Sequence, residues 1–290
     1  MEGIILKGVG SFYTVLCGEQ TYTCKARGRF RKEGLSPVPG DRVSFAPESE
    51  NTGWIEEIGA RKNLLTRPCV SNVDKLIVVM APAPKPDLLL TDKLLLQCEL
   101  LSITPVIVIN KCDMPQDQTH LAIMESYAHT GYDLLVVSAY SGENIKAVED
   151  ALQGSVSCFA GQSAVGKSSL LNRLLPDLGL ETGALSKKTS RGRHTTRVAQ
   201  LWPAYGGAVV DTPGFSLFDL PDMEPESLSR LYPEMRTVTE ECRFAQCLHI
   251  KEPGCAVKTA LEQGRISQSR YTRYCLLLEE LKEKRKHQYD

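Results

Sequence analysis

The sequence predicts a multidomain α/β protein: a small all-β barrel, then a doubly wound domain with a mostly parallel sheet, then a helical C-terminal domain. Three observations carry this prediction. Short β-patterned runs joined by turn residues fill the first part of the chain, apolar strands then alternate with helical patterns, and helical patterns alone follow. We therefore expect domains at residues 1–67, 68–220 and 221–290.

Composition limits the class of protein before any motif is considered. A chain of 290 residues is long enough for about two or three domains. With 42% hydrophobic and 24% charged residues it is typical of a soluble globular protein. The start MEGIILKGVG does not match a signal peptide, and no apolar run reaches the roughly 18 residues of a membrane span. We expect a cytoplasmic protein without membrane contact.

The first domain has five short strand patterns, which fit an OB-type barrel best. They are EGIILKG, FYTVLCG, TYTCKARGRF, DRVSFAP and GWIEEIG. Basic residues recur at every second position from the third run onward, so in a strand they would share one face: Lys25, Arg27, Arg29 and Arg31. That face is either simply solvated or a surface that contacts RNA phosphates, and the pattern alone leaves both open. Because the net charge is only −1, any nucleic-acid binding must depend on such local patches.

The central domain alternates strands with helices, which indicates βαβ crossovers and a sheet covered on both faces. Its strand patterns are DKLIVVMAP, TPVIVINKCD, DLLVVSAYSG and VSCFA. The run TDKLLLQCELLS predicts a helix with Thr91 as its N-cap, and ENIKAVEDALQG predicts another. The run TTRVAQLWPAYGGAVVDTPG predicts a β-hairpin that turns at residues 205–207.

A phosphate-binding loop follows the strand VSCFA. The spacing G-x-x-x-x-G-K-S allows backbone N–H groups to surround phosphates, Lys167 to reach the β and γ oxygens, and the Ser168 hydroxyl to ligate Mg²⁺. The helix KSSLLNRLL presents its N-terminus to the same anion. We expect the whole loop to bind nucleotide: Gly161, Gln162, Ser163, Ala164, Val165, Gly166, Lys167, Ser168 and Ser169.

A motif for guanine recognition, NKCD, ends the strand PVIVI, at the sheet edge where ligands bind in open α/β folds. The carboxylate of Asp113 can accept hydrogen bonds from the guanine ring N–H and amine, a donor pair that adenine lacks. The stem of Lys111 can cover the base, and Asn110 can tie this loop to the phosphate loop. In VVSAY, the Ala139 N–H can reach the guanine carbonyl. The predicted base-binding residues are Asn110, Lys111, Cys112, Asp113, Ser138 and Ala139.

The segment AVVDTPGF completes the predicted site. Asp211 would hold Mg²⁺ through water, and the Gly214 N–H would sense the γ-phosphate. Upstream, the polar run LSKKTSRGRHTTR predicts a switch segment, in which Thr196 is favoured over Thr195 as the Mg²⁺-binding threonine.

One departure from Ras-like enzymes concerns catalysis. Where those enzymes have a Gln that orients the attacking water, this chain has Phe215, which carries no polar group. His194 in the switch segment is then the candidate to position water, with Lys167 and Gly214 as the other predicted catalytic groups. We expect slow intrinsic hydrolysis that rises when a partner orders the switches.

The two nucleotide motifs stand in an unusual order. NKCD ends at Asp113 and the phosphate loop begins only at Gly161, whereas the phosphate loop comes first in the usual GTPase. If both belong to one pocket, the chain is circularly permuted, which is tolerated because domain termini often lie close together. The segment after Asp211 then leads directly into the C-terminal domain.

That last domain contains a cluster of potential metal ligands, Cys242, Cys247, His249 and Cys255, with the spacing C-x₄-C-x-H-x₅-C. Three thiolates and one imidazole predict a closed, structural Cys₃His zinc site. The alternative is buried free thiols, which the polar run RFAQCLHIKEPGC disfavours.

Together these residues resemble the ribosome small subunit-dependent GTPase A (RsgA) family of circularly permuted bacterial GTPases. The resemblance spans nearly the whole chain and includes the order NKCD, GQSAVGKS, DTPGF, the switch GRHTT and the zinc ligands. It implies a monomeric cytoplasmic factor that binds the small ribosomal subunit and its rRNA late in maturation, hydrolyses GTP with Mg²⁺ there, and contains one structural Zn²⁺. Two alternatives remain: a GTP-controlled RNA-binding switch with incidental turnover, and an ATPase or small-molecule kinase.

Overall fold

The N-terminal domain is a closed five-stranded barrel. The computed structural model describes residues 1–28, 30, 34–115, 117–179, 199–211, 220 and 223–289. The barrel strands run in the order β1-β2-β3-β5-β4, and β4 pairs back with β1 to close the sheet. Only β3 and β5 are parallel, as in an OB barrel. The strands are β1 (Glu2–Val9), β2 (Phe12–Cys17), β3 (Gln20–Ala26), β4 (Arg42–Ser49) and β5 (Thr52–Ile58).

The predicted basic strand face of this barrel is wrong. Strand β3 ends at Ala26, and the chain turns there so that the Phe30 side chain enters the barrel core. The Phe30 N–H donates to the Arg27 carbonyl across this turn at 3.2 Å. Burial of one aromatic ring therefore overrides the alternation of charges. Of the four predicted basic residues, Lys25 lies on β3, Arg27 follows it, and Arg29 and Arg31 lie outside the described residues.

The central domain contains a six-stranded sheet in the order β10-β9-β8-β11-β13-β12, parallel except for β12. A two-stranded hairpin, β6 (Leu64–Thr66) and β7 (Cys69–Ser71), lies between this sheet and the barrel in the chain. Strand β12 also meets β1 of the barrel, where Gln200 faces Lys7. The central strands are β8 (Lys75–Met80), β9 (Thr104–Ile109), β10 (Asp133–Val136), β11 (Val156–Ala160), β12 (Gln200–Ala204) and β13 (Gly207–Asp211).

Separate apolar clusters cover the two faces of this sheet, as expected for a doubly wound fold. Helices α1 (Leu88–Leu101), α2 (Gln118–Tyr127), α3 (Ile145–Leu152) and α4 (Lys167–Leu174) belong to this domain. The predicted hairpin is present: β12 and β13 turn at Tyr205 and Gly206, both with positive φ. Such a pair is typical of the tight turns that match the twist of two strands.

Helix α1 begins earlier than the sequence predicts. Its N-cap is Asp87, whose carboxylate accepts the Leu90 N–H at 2.9 Å. Thr91, the predicted cap, is buried within the helix, and its hydroxyl donates to the Asp87 carbonyl at 3.2 Å. An aspartate at the cap satisfies the free N–H groups of the first turn, so the apolar residues before Thr91 become helical.

The C-terminal domain is helical, as predicted, and its apolar core also includes Leu96 of α1. It contains a 3₁₀ helix (Pro225–Leu231) and helices α5 (Pro233–Thr239), α6 (Ala256–Glu262) and α7 (Gln268–Tyr289). None of the helices in the described ranges has the length and apolar character needed to cross a bilayer.

A buried ion-pair cluster joins this domain to the central one. Asp92 of α1 accepts from Arg270 and Arg273 of α7, each at 2.6 Å, and Arg270 also pairs with Glu234 of α5. All four side chains are almost completely buried. Burial opposes the charge on Arg270, but the carboxylates of Asp92 and Glu234 raise its pKa well above the ordinary value. The pairs therefore fix α7 against α1.

Candidate functional site

The phosphate loop lies between β11 and α4, where its motif requires it. Gly161 has φ 135°, and a Cβ there would lie 2.1 Å from the Val79 carbonyl oxygen. Gly166 has φ 95° and caps α4, and a Cβ there would lie 2.3 Å from the Asn110 amide nitrogen. Only glycine fits both positions, so the backbone can close tightly around a bound anion.

Lys167 is held over this loop by main-chain acceptors. Its Nζ donates to the carbonyls of Gly161 and Gln162, both at 2.7 Å. Burial lowers the pKa of Lys167 to about 8. A phosphate group in the loop would bring negative charge to this ammonium and so raise its pKa again.

Asn110 connects the two nucleotide motifs. It follows β9, is buried, and donates from Nδ2 to the Val165 carbonyl of the phosphate loop at 2.9 Å. Its Oδ1 accepts the Ala139 N–H at 2.9 Å. The Ala139 N–H, which the sequence assigns to the guanine carbonyl, is therefore donated to Asn110 here. One amide thus joins three loops at the same edge of the sheet.

The remaining residues of the guanine motif lie around the Asn110 side chain. Lys111 has φ 67°, and its Nζ donates to the Ala83 and Ala164 carbonyls at 2.6 and 2.8 Å. The Cys112 N–H bonds to the Val137 carbonyl at 3.1 Å, which joins the ends of β9 and β10. Asp113 accepts a short hydrogen bond from the buried hydroxyl of Ser138. The bond orients a carboxylate that lines the cleft described next.

A cleft of about 480 Å³ opens among these residues. Six of its lining residues belong to the predicted nucleotide-binding set: Asn110, Lys111, Asp113, Ala139, Gly166 and Ser169. Four others were not predicted from the sequence: Met114, Tyr140, Asn172 and Arg173. Tyr140 directly follows Ala139 and is 88% exposed. Its position next to a predicted base-binding residue is the one feature of the sequence that could have identified it.

Gln162 anchors the phosphate loop to a neighbouring element. Its Oε1 accepts the N–H of Asp87, the cap of α1, at 2.9 Å, and its Nε2 donates to the Lys85 carbonyl at 3.1 Å. Ser163 and Ser168 take their predicted places, in the loop and in the first turn of α4. The loop is thus braced by Asn110 on one side and by the start of α1 on the other.

Several predicted residues are not placed by the structure. His194, Thr195, Thr196, Gly214 and Phe215 lie outside the described residues. The backbone of Asp211 ends strand β13, and that strand pairs with β11, which leads into the phosphate loop.

The four predicted metal ligands converge. One ligand atom from each of Cys242, Cys247, His249 and Cys255 lies within 4.8 Å of all the others. The Nδ1 of His249 is 3.6 Å from Cys242 Sγ and 3.4 Å from Cys255 Sγ. Tetrahedral zinc, with bonds of about 2.3 Å to sulfur and about 2.0 Å to nitrogen, would separate such atoms by roughly 3.5 Å. The residues therefore fit a Cys₃His zinc site with the imidazole bound through Nδ1.

A carboxylate that the sequence analysis missed shapes this metal centre. Glu252 accepts the N–H groups of Leu248, Ile250 and Lys251 at 3.0, 2.8 and 3.0 Å. Burial opposes ionisation of Glu252, but these N–H groups hold its pKa below the ordinary value. They also fix the turn in which His249 has φ 61°.

Helix α7 supports the same turn from the other side. The hydroxyls of Tyr271 and Tyr274 donate to the carbonyls of His249 and Leu248 at 2.6 and 3.0 Å. The metal centre is thus attached directly to the helix that carries Arg270 and Arg273.

The chain is similar to proteins of one family over nearly its whole length. The family model described as RsgA GTPase matches residues 58–221, and the RsgA N-terminal domain model matches residues 2–55. The chain is 45% identical over 287 residues to the small ribosomal subunit biogenesis GTPase RsgA of Ruminiclostridium cellulolyticum, covering 97% of this chain and 94% of that protein.

Two solved structures share the whole architecture. YjeQ from Thermotoga maritima has a TM-score of 0.84 and 38% identity, over 97% of this chain and 98% of that one. YloQ, described as a circularly permuted GTPase, has a TM-score of 0.82 and 36% identity, over 98% of this chain and 95% of that one.

Proposed function

The chain belongs to the RsgA GTPase family, and from this membership we propose that it hydrolyses GTP as an assembly factor of the small ribosomal subunit. One observation in the site carries the enzymatic part. The hydrogen bond from Asn110 to Val165 makes the guanine motif and the phosphate loop walls of one pocket. The name of its relatives, small ribosomal subunit biogenesis GTPase, supports the small subunit as partner.

Guanine is selected at the end of the cleft formed by NKCD. The Asp113 carboxylate, oriented by Ser138, accepts from the ring N–H and the exocyclic amine of guanine. Charge-assisted hydrogen bonds of this type are roughly twice as strong as neutral ones. Adenine has no matching donor pair, which argues against the ATPase or kinase alternative.

The triphosphate lies in the loop from Gly161 to Ser169, at the N-terminus of α4. Backbone N–H groups and the helix dipole stabilise its charge, and Lys167 turns from the Gly161 and Gln162 carbonyls to the phosphate oxygens. Mg²⁺, held by Ser168, Thr196 and Asp211, would neutralise charge that develops on the phosphates.

Hydrolysis in this family member lacks the usual water-orienting glutamine, because Phe215 follows Gly214. We assign the positioning of water to His194 and the contact with the γ-phosphate to the Gly214 N–H. A partner that orders these segments would complete the site. Partner-supplied groups in GTPases raise turnover by about 10³ to 10⁵.

The remaining parts of the chain serve binding. The barrel contacts rRNA through Lys25 at the end of β3 and through the basic residues that follow the strand, Arg27, Arg29 and Arg31, without the shared strand face first expected. One structural Zn²⁺ on Cys242, Cys247, His249 and Cys255 holds the C-terminal domain in shape. The protein acts as a monomer in the cytoplasm, without membrane contact.

Single-turnover GTP hydrolysis, measured with and without purified small ribosomal subunits, tests this function. We expect stimulation of at least roughly ten-fold, with large subunits as the control that gives none. GTP binding without any stimulation would favour the RNA-binding switch with incidental turnover. Equal use of ATP would favour the ATPase or kinase alternative.

A further inference from the structure

The outer face of the barrel carries a row of side chains that the GTPase site does not use. Phe12, Lys25 and Trp54 face one another across β2, β3 and β5. The Lys25 ammonium lies 5.4 Å from the centre of the Phe12 ring and 5.6 Å from that of Trp54. Phe12 is 50% exposed, Lys25 is exposed and Trp54 is half-buried. We call these three residues the aromatic row.

A second row lies beside the first on the same face, because side chains two residues apart in a strand point the same way. Its residues are Thr14, Thr23 and Thr52, which also face one another across β2, β3 and β5. The two rows together present rings, hydroxyls and a cation, and they contain no acidic residue.

The charge on this face is available for a ligand. Among the residues that the structure describes, Lys25 has no carboxylate partner. Its neighbour Arg27 is different, because it forms an ion pair with Glu56 at 3.0 Å. Lys25 is therefore a cation of this face that can meet a phosphate without losing an existing ion pair.

We propose that the aromatic row is a stacking surface for unpaired RNA bases, with Lys25 on the adjoining phosphate and the threonines on the sugar-phosphate backbone. Rings and cations in alternation recognise single strands, because every unstacked base offers a π-face. A duplex does not expose its base faces in this way. A single exposed Phe is common on proteins, but here its ring adjoins a cation and a second ring.

The position of the row in the barrel supports this assignment. OB barrels bind oligonucleotides on the face of strands 2 and 3 and with the loops that join strands 1 to 2 and 4 to 5. Phe12 begins β2 directly after the first of these turns, and Thr52 begins β5 directly after the second. The inference rests on the proposed rRNA binding and specifies which surface binds and which form of RNA it takes.

The fluorescence of Trp54 can report RNA binding, because the chain has only 2 tryptophans and the other can be replaced. In a Trp202→Phe background, we expect a single-stranded oligouridylate to quench Trp54 fluorescence and a duplex of the same length to have little effect. Absence of quenching by the single strand would overturn the proposal, and so would equal binding of the duplex.

Two substitutions separate stacking from charge. Phe12→Leu should weaken oligouridylate binding about ten-fold, since stacking on an aromatic ring is worth roughly that much or more per base. Phe12→Tyr, which keeps a ring, should restore affinity. Lys25→Gln should lower the slope of log affinity against log salt by about 0.7, whereas Phe12→Leu should leave the slope unchanged. Unchanged affinity in a folded Phe12→Leu variant would contradict the proposal.

Phe244 provides the matched control. It is 45% exposed and lies in the metal-binding loop, far along the chain from the barrel. Phe244→Leu should leave oligouridylate binding unchanged, and an equal loss there would show that the effect is not local to the barrel. If Phe12→Leu weakens binding to whole small subunits but not to oligouridylate, the row contacts a ribosomal protein and the RNA assignment is wrong.

Stimulated GTP hydrolysis is measured on the same preparations so that the two proposals can fail separately. Absence of oligouridylate binding by the unsubstituted protein, with stimulation intact, would contradict the stacking surface alone. Absence of stimulation in the unsubstituted protein would contradict the proposed function instead.

Discussion

The Asn110 amide donates a hydrogen bond of 2.9 Å to the carbonyl oxygen of Val165, across 55 residues of sequence. The same side chain accepts from Ala139, so the ends of β9 and β10 and the phosphate loop meet on one buried group. A pocket built in this way does not depend on which of its loops comes first in the chain.

Removing this amide should loosen the pocket. Asn110→Ala leaves the Val165 carbonyl and the Ala139 N–H without their partner, at a cost of about 1–3 kcal/mol for each buried group left unsatisfied. We expect a lower midpoint of thermal unfolding and at least roughly ten-fold weaker GDP binding, measured by calorimetry. Asn51→Ala, which removes an exposed amide of the barrel, is the control and should change neither.

Nucleotide binding should take up a proton above neutral pH. The pKa of Lys167 is about 8 in the free loop because of burial, and a bound phosphate raises it. Well below pH 8 the amine of Lys167 is already charged, so the affinity for GDP is highest there. The affinity falls as the pH rises through 8. Calorimetry with GDP in two buffers of different ionisation enthalpy should show little proton uptake at pH 7 and close to one proton at pH 9.

Lys167→Arg isolates this effect, because a guanidinium stays protonated throughout the range. The variant should lose the proton uptake between pH 7 and 9. Equal uptake in both proteins would assign the proton to another group.

Metal removal should affect the C-terminal domain selectively. With three thiols and an imidazole within 4.8 Å of one another, we expect one zinc per chain by elemental analysis. Cys247→Ser should release the metal and lower thermal stability, while Cys275→Ser, on α7 outside the cluster, should retain it. Purified protein without stoichiometric zinc would contradict the site.

The buried ion pairs between α1 and α7 should contribute more to the free energy of unfolding than a surface pair does. Arg270→Met leaves Asp92 and Glu234 buried without their partner, which should lower the free energy of unfolding by about 3–5 kcal/mol. Arg236→Met removes an exposed partner of Glu99 and should cost about 1 kcal/mol or less. Urea unfolding followed by circular dichroism measures both, and equal effects would show that the cluster does not join the domains.

Much of this fold and site follows from local sequence. A phosphate loop, a guanine motif and a two-residue hairpin turn depend on spacings of a few residues, which the chain shows directly. The helical C-terminal domain and the five barrel strands follow from periodicity in the same way. These features were predicted because neighbouring residues determine them.

The features that were missed depend on distant or competing contacts. The Asp92 pairs join residues 178 and 181 positions apart, so no local pattern reveals them. The basic strand face fails because burial of Phe30 ends β3, and the cap of α1 lies at Asp87 because an aspartate was available one turn before Thr91. Tyr140 lines the cleft because of the course of the loop after β10, which the sequence pattern does not reveal.

The central claim is that two motifs in reversed order form one guanine-nucleotide pocket, and Asp113→Asn tests it most directly. Xanthine carries a carbonyl where guanine has its amine, so an amide at residue 113 would match xanthine, while the charged acceptor for guanine is lost. We predict that the variant binds GTP roughly 10- to 100-fold more weakly and prefers xanthosine triphosphate. An unchanged preference for GTP would contradict the claim.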